Sequence, residues 1–119
     1  MSLVLQHKGK SVDSSKFRDK MLSQIIIGYD WDTLNNFAEI KLISNNGDLS
    51  SFKICKLTEY SLYDNFSANY ISQCKVIINS SMVYLSLDPY DELSNEVDLV
   101  NDCLWFIGSH FETVSCTDN

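Results

Sequence analysis

Glycine and proline are scarce, at four and one in 119 residues, so most turns fall to Asn, Asp and Ser side chains that bond to nearby backbone. Asn46-Gly47 is the exception. Long apolar runs are missing too, and the longest clean one, Gln24 to Gly28, is far short of the ~18 to 20 residues a membrane-spanning helix needs. No membrane partner is expected. The amino terminus places Leu3-Val4-Leu5 before its first charges and has no full hydrophobic stretch followed by a small-residue cleavage site, which points to a cytoplasmic protein. The triplets at Asn65 and Asn79 would accept glycans only on a eukaryotic secretory route.

The four cysteines, Cys55, Cys74, Cys103 and Cys116, contain no Cys-x-x-Cys pair and stand apart from histidine in the sequence. Neither a zinc site nor any other cofactor is expected. In a chain without a leader they read as reduced thiols among apolar neighbours, with a disulfide as the alternative and three connectivities open to it. A nucleophile elbow, a glycine-rich phosphate loop and a histidine-rich metal signature are all absent. His110 is the better placed of two histidines, but neighbours along a strand point to opposite faces, so Ser109 and His110 are not expected to meet. The expectation is a rim histidine and no enzyme. Asp30 and Asp32 share strand spacing, but among sixteen acidic residues such pairs arise by chance.

Basic charge disappears after Lys75. The first twenty residues carry five basic groups against two acidic, residues 21–75 carry four against six, and residues 76–119 carry none against eight. Nucleic acid requires clustered Lys and Arg, and the only such cluster is the short head from Lys8 to Lys20 on an otherwise acidic body. No nucleic-acid partner is expected. A cationic head and an anionic tail can also attract each other within one fold.

What is abundant is short, branched and aromatic. The length and an apolar content of 45% suit one domain over residues 1–119. Leu3 to Leu5 reads as an edge strand. Phe17, Met21, Leu22 and Ile25 then share a helical stripe behind Asp13 or Ser14 as N-cap, which predicts a helix of about ten residues. Gln24 to Trp31 favours a strand through its isoleucines, and 32–36 a turn. Phe37 to Ser44 alternates Ile40 and Leu42 against Glu39 and Lys41, as a half-buried strand does. Asn46-Gly47 then turns the chain into an antiparallel strand over 51–57.

Residues 58–69 read as an irregular strand or a loop. Residues 70–79 and 82–87 read as two strands joined through Asn79-Ser80-Ser81, and Asp88-Pro89 stops the second. Residues 91–102 form an acidic loop, and Cys103 to Ser115 a last strand bulged at Gly108. The fold class is therefore mainly β (α+β), an antiparallel six- or seven-stranded sandwich or roll with one short N-terminal helix. Trp31 and Trp105 are expected in its core.

Asp88, Asp91, Glu92, Glu96, Asp98 and Asp102 lie within fifteen positions with no cation between them. The glycine-centred calcium loop pattern is absent, so these residues, with Tyr90 beside them, form the candidate partner-binding surface. Negative charge next to an amphipathic ring suits a basic protein partner. The run from Val83 to Glu92, followed by an aspartate and an apolar strand, resembles the closing half of small bacterial β-rich domains among toxin-immunity proteins. The resemblance implies a cytoplasmic inhibitor that covers a cognate toxin by surface contact, with no catalytic residues to carry over.

Three functions follow. The first is an acidic protein-binding module, of the immunity type, for a basic partner. The second is a small-ligand or enzymatic domain with a cavity between sheet and helix, using His110. The third is a homodimer paired through an exposed strand.

Overall fold

Eight strands build two four-stranded antiparallel sheets in a computed structural model that describes residues 12–66 and 68–114. The expected strand at Leu3 to Leu5 and the residue Cys116 lie outside the described residues. The first sheet has the order β1-β2-β3-β8, formed by Met21–Asp30, Asn35–Ile43, Leu49–Cys55 and His110–Val114. The second has the order β4-β7-β6-β5, formed by Glu59–Ser61, Cys103–Gly108, Val83–Asp88 and Lys75–Ile78. The β-rich sandwich expected from the sequence is what forms, with eight strands in place of six or seven.

The N-terminal helix reduces to one 3-10 turn, Ser14–Lys16, in which the Asp13 carboxylate accepts from the Ser15 N–H at 3.0 Å. The turn stops at Asp19, where φ is +66° and the backbone N–H donates to Ile71 O at 2.7 Å. From Met21 onward the chain is strand. A helix this short gains little unless it docks, whereas β1, with the isoleucine run at its centre, pairs along the whole of β2. Of the supposed helical stripe only Phe17 leaves the strand, and its buried ring packs 4.8 Å from Phe52 and 6.4 Å from Phe111.

Alternation places Ala38, Ile40 and Leu42 of β2 inside, against Phe52 and Ile54 of β3. Val83, Leu85 and Phe106 meet them from the second sheet. The β2–β3 turn closes with the Gly47 N–H donating to Ser44 O at 3.0 Å, and Gly47 takes the φ of +91° that completes this turn with little strain. At the β5–β6 turn no glycine is needed, because the Asn79 side chain accepts from the N–H groups of Ser81 and Met82, both at 3.0 Å. Trp31 lies outside the core: it is 78% exposed at the tip of the β1–β2 hairpin. Trp105 is buried as expected.

The sheets are joined at one corner. β3 passes into β4 through Lys56 to Thr58, and β7 passes into β8 through Ser109, so both chain segments leave one sheet for the other at the same place. Their pairing continues across the bend, with β3 beside β8 and β4 beside β7. The Ser109 N–H donates to Cys55 O at 2.8 Å. A Cβ on Gly108 would sit 2.5 Å from Ile54 Cγ2 and 2.7 Å from Cys55 O, so only glycine lets the segments approach this closely. What the sequence presents as one bulged strand is two strands in different sheets, divided at such a bend.

Candidate functional site

β6 is buried at five consecutive positions from Val83 to Leu87. A strand with one face on the core should alternate, so something covers its second face. The cover is the acidic segment 89–102. Lys75 on β5 is 3% exposed and donates to Asp102 Oδ2 at 2.9 Å and to Glu96 O at 3.0 Å. Tyr84 Oη donates to the same carboxylate oxygen at 2.7 Å, and the Tyr90 N–H donates to Asp102 Oδ1 at 2.9 Å. Burial pushes the Asp102 carboxyl up, but the hydrogen bonds from Lys75, Tyr84 and Tyr90 together with the Lys75 charge outweigh it and hold it below the usual carboxylate range. Tyr84 is pushed up, first by burial and then by its bond to Asp102.

Asp102 is therefore not a contact residue. At 4% exposed it fastens the loop to the sheet, with a cation that lies 27 positions earlier in the chain. Glu92 is engaged as well, accepting from the Cys74 N–H at 3.1 Å while Arg18 Nε stands 3.5 Å away. Part of the cationic head thus meets the anionic segment within the fold. Asp88 is exposed and accepts from Tyr63 Oη.

The remaining acids face water. Asp91 and Glu96 are exposed and Asp98 is half-exposed. Asp91 and Asp98 also shape the loop: Asp91 accepts from the Leu93 N–H at 3.0 Å, and Asp98 from the N–H groups of Val100 and Asn101. Bonds from the Asn101 side chain and then its N–H lower the Asp98 carboxyl. The segment also exposes apolar side chains that the charge pattern obscured. Leu93 is 87% exposed, Val100 90% and Tyr90 75%, with Val97 and Leu99 also in water. An ordered acidic rim around unburied leucine and valine has the composition of a contact surface.

Among the described residues the only helix is the Ser14–Lys16 turn, and no sheet–helix cavity of the enzymatic reading forms there. A groove of about 510 Å³ instead runs between β1 and the segment near Leu62, Phe66 and Asn69. Ser109 and His110 do meet, with Ser109 Oγ 2.6 Å from His110 Nδ1. Ser109 is the corner residue between β7 and β8, so the alternation that would separate the two side chains does not apply there.

No helix among the described residues is long and apolar enough to cross a membrane. Comparison of the chain with protein-family models, with curated proteins and with solved structures finds no match in any of the three.

Proposed function

We propose that the chain is a protein-binding module that presents residues 89–102 to a basic partner with an apolar centre, and that it acts as an immunity-type inhibitor by covering that partner's surface. One observation carries the reading: Leu93 and Val100 stand in water on a loop that is hydrogen-bonded internally and tied down by Lys75 and Arg18. A loop held in place before contact loses less conformational entropy on binding. Asp91, Glu96 and Asp98 supply the field that steers a cationic surface toward it.

Cross-linked capture from the source cells, followed by binding to the purified captured protein, tests the proposal. Leu93→Ser with Val100→Ser is expected to raise the dissociation rate. Asp91→Lys with Glu96→Lys is expected to lower the association rate and flatten its salt dependence. A partner that binds both variants as it binds the parent overturns the proposal.

A second reading, a homodimer, rests on β1, whose edge away from β2 is bridged to Tyr70 at Met21 but meets no other strand among the described residues. Sedimentation that shows a monomer at high concentration removes it.

A further inference from the structure

Cys55 and His110 are directly paired across β3 and β8, and Glu112 follows two positions after His110. All three side chains therefore leave the same outer face of the first sheet. One sulfur, one ring nitrogen and one carboxylate oxygen from them lie within 4.8 Å of one another. His110 Nε2 is 3.6 Å from Glu112 Oε2.

The hydrogen bonds around Ser109 accommodate an imidazole tautomer that frees Nε2. Ser109 Oγ lies 3.3 Å from Cys55 O, to which it can donate, and 2.6 Å from His110 Nδ1. With its proton on the carbonyl, the hydroxyl oxygen accepts from Nδ1–H, and the Nε2 lone pair is left facing Glu112. This is the outer-shell arrangement that orients a metal-binding histidine. The Cys55 thiol also bonds to Glu112, and once that proton leaves, sulfur, Nε2 and carboxylate oxygen are three donor atoms that one cation can bridge. Lys53, the cross-strand partner of Glu112, has its Nζ 3.9 Å from Asp30 Oδ2 and 4.7 Å from the centre of the Phe37 ring.

We propose that Cys55, His110 and Glu112 form a site for a divalent ion of the zinc class, with Ser109 as its positioning residue. Thiolate, imidazole and carboxylate together suit borderline-soft Zn²⁺ better than calcium or magnesium, which take oxygen ligands. Three protein ligands leave a fourth position open. The three residues line a cavity of about 150 Å³ together with Asp30, Asn36 and Lys53, large enough for water or a small anionic ligand. Sequence spacing could not reveal the set, because Cys55 and His110 lie far apart in the chain and are brought together only by the β3–β8 pairing.

Titration of the reduced full-length chain with Co²⁺, followed by displacement with Zn²⁺, tests the site. A single saturable equivalent with a sulfur-to-cobalt charge-transfer band is expected. Cys55→Ser should abolish the band, and His110→Ala and Glu112→Gln should each weaken binding at least ~10-fold, with Ser109→Ala weakening it about 10-fold. Glu112 is exposed, so its variant reports on ligation without disturbing the core. Cys103→Ser and Cys116→Ser should leave the band intact. Absence of saturable binding, or a band that survives Cys55→Ser, overturns the proposal.

Discussion

Two Lys–Asp pairs among the described residues differ in almost every physical respect. Lys53 and Asp30 sit 3.9 Å apart on the open face of the first sheet, each about one-quarter exposed. Lys75 and Asp102 sit 2.9 Å apart under the loop that covers the second sheet, both buried. Solvent screens the first pair and side-chain entropy opposes it. The second has exchanged hydration for a network in which Tyr84 and the Tyr90 N–H add two further hydrogen bonds to the carboxylate, so losing one member strands the other in a dry site. The same residue types thus decorate one sheet and fasten the cover of the other.

The largest expected effect breaks the buried pair: Asp102→Ala should lower the unfolding free energy by about 3–5 kcal/mol in chemical denaturation, because Lys75 is left uncompensated. Lys75→Met with Asp102→Leu should recover most of that loss, since an apolar replacement of both partners removes the stranded charge. Gly108→Ala disturbs the corner shared by both sheets and should cost about 1–3 kcal/mol through overpacking against Ile54 and Cys55 O.

Acid sharpens the contrast further. The folded Asp102 carboxyl titrates below its unfolded value of about 3.9, so its contribution is fully present above that pH and is lost as the pH falls through the depressed folded value. Asp102→Asn should flatten this acid limb in pH-dependent unfolding. Smallest of all, Asp30→Asn should leave the denaturation midpoint at neutral pH nearly unchanged, because solvent screens the pair and the amide keeps an oxygen to accept from the Asp32 and Thr33 N–H groups.

Much of the architecture was legible where local chemistry decides it. The alternation of Ala38, Ile40 and Leu42, the Asn46-Gly47 turn, the Asn79 turn and the stop at Asp88-Pro89 all act within a few residues of themselves. The supposed helix misled because Phe17, Met21, Leu22 and Ile25 fit a helical stripe by spacing, while pairing with β2, invisible locally, decided the outcome. Gly108 did signal a break. That the break carries the chain into another sheet depends on Cys55, which arrives from far away in sequence.

The candidate surface was legible as charge and not as shape. Counting acids could not show that Asp102 has a lysine beneath it, or that Leu93 and Val100 remain uncovered. For the same reason the Cys55, His110 and Glu112 group stayed hidden, since strand register alone assembles it.

The shared corner bears on how the molecule comes apart. Two continuous segments each contribute a strand to both layers, so neither layer can detach while the other persists. Amide protons in Ile40 and in Leu85 should then exchange with deuterium through one common opening event, and a stretched molecule should rupture in a single step.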